Sequence, residues 1–242
     1  MYQITKHDKN NGFTLVELMF SMVFISLLIL SITMTIMQVL NIYNRGLLIK
    51  EVNQTGRTVT DQMQRTISAS IPGPTISVVK MTNPSDSTEE IGGRFCLSNY
   101  SYIWNYGKTL STSVTTANVF ATGTPANQKV NFIRVPDVGG SYCQPDNNGL
   151  YKKISRTGAT EVLSTRGYGL VLYNMFVTSG SNNFDSASSQ RLYYIDMTIG
   201  TSDYNAIDVS AGRSCKAPSQ SGSDQDYCSI NSFSFVARAG NM

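Results

Sequence analysis

The feature that most constrains this chain is a long apolar segment near its N-terminus. From Leu18 to Asn44 no side chain carries a charge, and the core of the run reads LMFSMVFISLLILSITMTIMQVL. A helix needs roughly 20 apolar residues to cross a bilayer, so the segment is long enough. The preceding stretch, MYQITKHDKNNG, holds Lys6 and Lys9 against Asp8, which predicts a cytoplasmic N-terminus and an extracytoplasmic remainder.

The order of these segments does not fit an ordinary secretory signal peptide. Such a signal places its apolar run before a small-residue cleavage site, whereas here the boundary between Gly12 and Phe13 precedes the whole run. Glu17 lies at the start of the run, where an ionisable group costs about 2.5 to 3.5 kcal/mol on insertion scales, so it is a functional candidate that needs a partner. The alternative is a single-pass membrane protein whose Glu17 reaches the lipid headgroups.

The segment GFTLVELMFS, Gly12 to Ser21, resembles the processing motif of type IV prepilins and of the related pseudopilins of type II secretion. In that family a membrane-embedded prepilin peptidase cuts after the glycine and methylates the new N-terminal residue. The resemblance implies cleavage between Gly12 and Phe13 and methylation of Phe13. It also implies a role in subunit assembly for Glu17, whose carboxylate would pair with the free α-amino group of a neighbouring subunit.

A second resemblance narrows the family. The segment NQTGRTVTDQMQRTI from Asn53 is similar to the one that follows the membrane helix in minor pilins of the PilW type, relatives of the pseudopilin GspJ. Many major pilins carry a proline within the membrane helix, whereas this chain has none between Phe13 and Asn44 and has Met34 where that proline often stands. Both observations favour a minor pilin.

The helix is predicted to continue beyond the apolar segment, because apolar residues keep to one face. The members of this stripe are Leu48, Val52, Val59, Met63 and Ile67. Gly56 interrupts the stripe, which a bend or a close approach between helix and sheet would explain. The sequence IPGP from Ile71 predicts the helix end near Ser70, because proline disfavours helical geometry in the residue before it.

Four later segments are predicted to be β-strands because their apolar residues alternate or cluster. They are QKVNFIRV, YGLVLYNMF, RLYYIDMTI and SFSFVAR, with turn clusters such as NPSD, PDNNG and SGSD between the apolar patterns. The predicted fold class is therefore α+β and pilin-like, with a long N-terminal helix packed on an antiparallel sheet with long loops. The predicted divisions are a leader at 1–12, a membrane or pilus-core helix at 13–44, its extracytoplasmic continuation at 45–70 and a β-rich head at 71–242.

One aromatic run also has the periodicity of a strand. Tyr100, Tyr102, Trp104 and Tyr106 occupy every second position, which would place all four on one face. We expect this face to be the inner side of the sheet, covering the helix. The alternative is a surface on which DNA bases or a glycan would stack.

The cysteines predict disulfides. Cys96, Cys143, Cys215 and Cys228 all lie in the C-terminal part, their count is even, and export to an oxidising compartment would explain them. Of the three pairings we favour the sequence-local one, Cys96 with Cys143 and Cys215 with Cys228. Free buried thiols are the alternative.

No catalytic or cofactor site is predicted. The only histidine, His7, lies in the predicted leader, so the mature chain would lack the base that most serine or cysteine nucleophiles use. No phosphate-binding glycine loop is present, no zinc pattern is formed, and the spacing of Asp203, Asp208, Asp224 and Asp226 does not match a calcium loop. We expect a protein that is not an enzyme and carries no metal or cofactor.

The functional expectation is a structural minor pilin of a type IV pilus. The resemblance implies major and minor pilins, prepilin peptidase and the pilus assembly platform as partners. It also implies residence in the bacterial inner membrane, with a cytoplasmic N-terminus, before incorporation into a cell-surface pilus. The alternatives are a minor pseudopilin of a type II secretion system, and a pilus-tip adhesin or DNA-uptake subunit whose head binds glycan or nucleic acid.

Overall fold

The computed structural model of the protein describes residues 14–71, 76–113, 116–123, 127–147, 149–163, 169–185, 190–208, 214–224 and 227–240. The chain divides into two units, Met1–Asn44 and Arg45–Met242. The first helix, α1, spans Leu15–Ser68 and so belongs to both units. Its C-terminal end is close to the position predicted from the prolines that follow Ile71.

The second unit contains two antiparallel sheets and a short ribbon. The larger sheet has five strands in sequential order: β1 Ser77–Asn83, β2 Asp86–Cys96, β3 Tyr100–Asn105, β4 Phe132–Pro136 and β5 Thr160–Glu161. The smaller sheet has the order β10-β7-β6, formed by β6 Leu170–Asp185, β7 Gln190–Thr201 and β10 Ile230–Ala239. The ribbon pairs β8 Ile207–Asp208 with β9 Ser214–Cys215, and a short helix, α2 Gly107–Ser111, follows β3. Together with α1 this is an α+β architecture consistent with a pilin-like fold.

All four predicted strand segments contain strands, namely β4, β6, β7 and β10. The hairpin of β1 and β2 was not predicted, although its turn lies at the NPSD cluster. The reason is that β2 ends in GGRFC, in which an arginine and two glycines replace the apolar alternation that marks a strand. The glycines are needed there, because a β-carbon on Gly92 or Gly93 would lie within 3.0 Å of backbone atoms in the adjacent strands.

The main core lies between α1 and both sheets. The predicted stripe on α1 is confirmed, since Leu48, Val52, Val59, Met63 and Ile67 are all fully buried or nearly so. Side chains from β2, β3, β4, β6 and β7 complete the cluster, among them Phe95, Trp104, Phe132, Leu172 and Met197. The free energy of this burial, about 25 cal/mol per Å² of apolar surface, anchors the second half of α1 on the sheets.

The aromatic run on β3 faces this core, as expected. Tyr102, Trp104 and Tyr106 are buried in the main cluster, and the Tyr102 hydroxyl lies 2.9 Å from the Thr66 hydroxyl on α1. Tyr100, at the start of the strand, is 38% exposed and stacks against the Arg134 guanidinium, 4.9 Å from its ring centre. Three of the four rings therefore stabilise the fold and are not available as a stacking surface.

Gly56 marks a close approach between α1 and β10. A β-carbon at this position would lie 2.6 Å from Cε1 of Phe233 and closer still to Cζ and Cε2. Of the two explanations for this glycine, the structure therefore supports close packing of the helix on the sheet. Glycine in a helix costs about 1 kcal/mol relative to alanine, but at this position only glycine leaves room for the Phe233 ring.

The opposite face of the five-stranded sheet carries a second, smaller core. Loop residues Phe120, Tyr142 and Ile154 cover the outward side of Ile103 and Ile133 there. The disulfide between Cys96 and Cys143 ties this covering loop to the end of β2, with the two α-carbons 6.0 Å apart. The described parts of these loops therefore form a packed layer on the sheet.

Candidate functional site

The candidate site begins at the first turn of α1, where Thr14 and Glu17 cap the helix. The Thr14 hydroxyl accepts a hydrogen bond from the backbone N–H of Glu17 at 3.3 Å. In return, Oε2 of Glu17 accepts hydrogen bonds from the Thr14 backbone N–H at 3.2 Å and from its hydroxyl at 3.0 Å. This reciprocal arrangement is a capping box, which satisfies backbone donors that a helix start leaves unpaired.

The capping box uses only one oxygen of the Glu17 carboxylate. Within the described residues Oε1 of Glu17 accepts no hydrogen bond, and no basic side chain forms an ion pair with the carboxylate. Glu17 is exposed. The second oxygen is therefore available to a donor from outside the chain.

The helix surface that follows is apolar on every side. All residues from Thr14 to Tyr43 are exposed, including Phe20 at 72% and Phe24 at 64%. This part of α1 is long and apolar enough to cross a membrane. A helix that is apolar all round is stable only when lipid or other protein covers it.

Several hydroxyl side chains of this segment form hydrogen bonds within the helix. The hydroxyls of Ser26 and Thr33 donate to the carbonyls of Met22 and Ile29, four residues earlier, each at 2.8 Å. Thr35 makes the same kind of bond to Ser31 at 3.0 Å. In an apolar environment an unpaired hydroxyl costs several kcal/mol, of the order of 2 to 7, so these bonds make the segment compatible with lipid or a dry protein interface.

No protein-family model, curated protein or solved structure matches the chain. The predicted cleavage and methylation positions, Gly12 and Phe13, lie outside the described residues. Of the predicted processing and assembly residues, the structure describes Glu17 alone.

The cysteines form the pairs favoured from sequence. Cys96 is joined to Cys143, and Cys215 to Cys228, with α-carbons 6.0 Å and 5.9 Å apart. The second bridge closes the segment between β9 and the start of β10, beside the buried residues Ala206 and Ile207. Both bridges stabilise loops of the head, and neither contributes to the helix start.

Two of the aspartates considered as calcium ligands, Asp203 and Asp224, act as local caps. Oδ1 of Asp203 accepts a hydrogen bond from the N–H of Asn205, and Oδ1 of Asp224 accepts one from the N–H of Tyr227. Asp226 lies outside the described residues. Across the described ranges, no three His, Cys, Asp or Glu side chains are grouped so that they could hold a metal ion.

The role of Thr14 as a partner of Glu17 was not predicted. The signal was present, because a threonine followed three residues later by a glutamate and then by an apolar run is typical of a capping box. Thr14 gives Glu17 a local role that does not need a second subunit. Any test of Glu17 must therefore separate helix capping from negative charge.

Proposed function

We propose that the chain is a structural minor pilin, a subunit incorporated into a type IV pilus or priming its assembly. The observation that carries this proposal is the first half of α1. It is apolar all round, uncovered from Thr14 to Tyr43, and begins with one carboxylate that has an oxygen free for an outside donor. A helix of this kind suits two successive environments, a lipid bilayer and a bundle of identical or related helices.

In the first environment the protein is a single-pass inner-membrane protein. The segment up to Asn44 spans the bilayer, the N-terminus is cytoplasmic and the head lies outside. Prepilin peptidase cuts between Gly12 and Phe13 and methylates Phe13. Support for the exported head comes from its two disulfides, because such bonds persist in oxidising compartments.

In the second environment the helix leaves lipid and enters the pilus core. An assembly ATPase and platform protein would supply the energy, and packing between subunits would supply the stability. The amine of Phe13 in a neighbouring subunit would then donate to the free oxygen of Glu17. In a dry bundle this pairing offsets much of the cost of burying both charges.

The experiment compares two variants that separate the roles of Glu17. Glu17→Gln keeps an acceptor for the capping box, since glutamine serves there as well as glutamate, but it removes the negative charge. Glu51→Gln, on the same helix beyond Asn44, is the matched control for loss of one carboxylate. Each variant is expressed in the native host, and the protein is measured in the membrane fraction and in sheared pili.

We expect Glu17→Gln to be processed normally and to accumulate in the membrane. Its amount in pili should fall by about tenfold or more, because the Phe13 amine of the neighbouring subunit would be buried without a partner, which costs about 3 to 5 kcal/mol. Glu51→Gln should enter pili at the level of the unaltered protein. Normal incorporation of Glu17→Gln would contradict the proposed pairing. Absence of the unaltered protein from pili, with loss of secreted hydrolases on its deletion, would instead identify a pseudopilin of type II secretion.

A further inference from the structure

A cavity on the outer face of the five-stranded sheet has the features of a ligand site. Its volume is about 420 Å³, within the range of roughly 300 to 1,000 Å³ of small-molecule pockets. β1 and β2 form its floor, and the loops around Ala117 and Leu150 form its walls. The cavity lies on the side of the sheet away from α1, so the proposed assembly role does not use it.

Arg94 lines this cavity although it is only 3% exposed. Its guanidinium is held in place by Nε, which donates to Oδ1 of Asn118 at 2.8 Å. Nη1 donates to the carbonyls of Tyr142 and Lys152 at 2.8 and 2.9 Å. The remaining terminal nitrogen, Nη2, makes no hydrogen bond to any described residue.

The charge of Arg94 is also left without a direct counter-ion in the described part of the chain. Asp137 is the one carboxylate whose charge acts on it noticeably, and the oxygens of Asp137 are occupied by Ser101, Ser141 and the N–H of Tyr142. Burial lowers the pKa of Arg94 to about 10, so the guanidinium is charged at neutral pH. The Tyr151 ring, whose centre lies 5.2 Å from Cζ of Arg94, carries no negative charge of its own. A buried charge without a counter-ion is costly, and an anionic ligand would reduce that cost.

A second unsatisfied group faces the same cavity. The hydroxyl of Thr116 is buried and has no hydrogen-bond partner among the described residues, and Thr116 lines the cavity together with Arg94. Leaving a buried hydroxyl unpaired costs about 1 to 3 kcal/mol, so an empty site of this kind lowers stability. The unpaired hydroxyl of Thr116 and the buried guanidinium of Arg94 are therefore the two groups that a ligand in this cavity would contact first.

The rest of the lining agrees with a ligand that is negative at one end and apolar at the other. Lys80 and Lys153 are the other charged side chains among the described lining residues, and no carboxylate lines the cavity there. Lys80 is already paired with Glu90 at 2.6 Å, whereas Lys153 donates a hydrogen bond to the amide oxygen of Asn127 at 2.9 Å and forms no ion pair with a described residue. Met81, Leu150 and Val119 supply apolar walls.

We infer that this cavity binds the oxyanion group, phosphate, sulfate or carboxylate, of a small organic molecule about the size of a monosaccharide. The oxyanion accepts hydrogen bonds from Nη2 of Arg94 and from the Thr116 hydroxyl, with Lys153 adding charge at the rim. The body of the molecule lies against the apolar walls. This site would give the head a binding function that is independent of how the helix is used.

The test is calorimetric titration of the full chain in a non-ionic detergent and phosphate-free buffer. The probes are glucose 6-phosphate, glucose 6-sulfate and glucuronic acid, which share a hexose body and differ in the oxyanion, with glucose as the neutral control. We expect at least one charged probe to bind with a Kd below about 10 mM and glucose to show no binding. The ranking of the three charged probes identifies the oxyanion.

Neighbouring lysines provide a matched pair of variants. Lys153 lines the cavity, whereas Lys152, also exposed, has its ammonium 5.6 Å from the Tyr142 ring centre and is not part of the described lining. Lys153→Ala should weaken binding of the best probe by about tenfold, the value expected for one charge-assisted hydrogen bond, and Lys152→Ala by less than about twofold. If the two substitutions weakened binding equally, the charged probes would be attracted by surface charge alone, and the assignment of the cavity as the binding site would be overturned.

Thr116→Val distinguishes a role of Thr116 in ligand binding from a purely structural role. The substitution keeps the shape and removes the unpaired hydroxyl, so the melting temperature of the ligand-free protein should stay the same or rise. Binding of the best probe should weaken by roughly three- to tenfold. A lower melting temperature with unchanged affinity would overturn the proposal, as would failure of all three charged probes to bind or equal binding of glucose.

Discussion

Replacing Gly56 by alanine tests how closely α1 packs on the smaller sheet. The new methyl group would lie 2.6 Å from Cε1 of Phe233 and closer to two other ring atoms, so the ring or the helix must move. Overpacking of this kind costs about 1 to 3 kcal/mol. Alanine recovers about 1 kcal/mol of helix propensity, so the free energy of unfolding should fall by a net amount of up to about 2 kcal/mol.

Gly46 provides the matched control on the same helix. A β-carbon there would contact nothing within 4 Å, so Gly46→Ala should leave stability unchanged or raise it by up to about 1 kcal/mol. Urea and thermal unfolding followed by near-ultraviolet circular dichroism report both changes. A loss of 1 kcal/mol corresponds to a fall of about 2 to 4 °C in Tm for a unit of this size.

A second substitution assigns the effect to the ring. Phe233→Leu removes the ring atoms that would collide with the new methyl group. In the Phe233→Leu protein, Gly56→Ala should leave the free energy of unfolding unchanged or raise it, whereas it lowers this free energy in the unaltered protein. If Gly56→Ala behaves like Gly46→Ala in the unaltered protein, the reasoning about this close approach is refuted.

The disulfides and one buried carboxyl give two further predictions. Replacing Cys96 and Cys143 by serine should lower the free energy of unfolding by about 1 kcal/mol more than replacing Cys215 and Cys228. The sequence separations are 47 and 13, and the unfolded chain gains more conformational freedom when the longer loop is opened. Urea titration measures both losses, and equal losses would contradict this prediction. Burial raises the pKa of Glu161 above 4.5, so its contribution to stability is lost as pH rises through the folded-state pKa. Glu161→Gln should therefore gain stability relative to the unaltered protein between pH 4.5 and neutrality, and a pH-independent difference would contradict this.

Much of the fold could be predicted because it depends on local patterns. The apolar stripe from Leu48 to Ile67 fixed the buried face of α1, since residues at helical spacing share a face. The alternation of Tyr102 and Trp104 predicted an inward-facing strand for the same reason. The end of the helix near Ser68 followed from the prolines beyond it.

The outer face of the five-stranded sheet could not be predicted in this way. Arg94 is buried because loops from distant parts of the chain fold over β2 and offer carbonyls at Tyr142 and Lys152. No local pattern records such a contact, because the sequence around Arg94 has neither a strand period nor a motif. The unpaired hydroxyl of Thr116 is likewise visible only when its surroundings are known.

The structure at the start of α1 could be predicted in part. The spacing of Thr14 and Glu17 is a local signal, and the capping box could have been predicted from it. The free second oxygen of Glu17 could not, because it depends on which donors lie nearby. The proposed role of Glu17 in assembly therefore combines a local pattern with an observation that required the structure.

The proposed function requires that the chain is a prepilin, which is cut at the start of its apolar helix. Its most direct test is the intact mass and N-terminal sequence of the protein purified from otherwise identical strains with and without prepilin peptidase. We expect a protein that begins at Phe13 and carries one added methyl group when the peptidase is present, and an uncut chain beginning at Met1 when it is absent. An uncut Met1 start in the presence of the peptidase would show that the chain is not a prepilin.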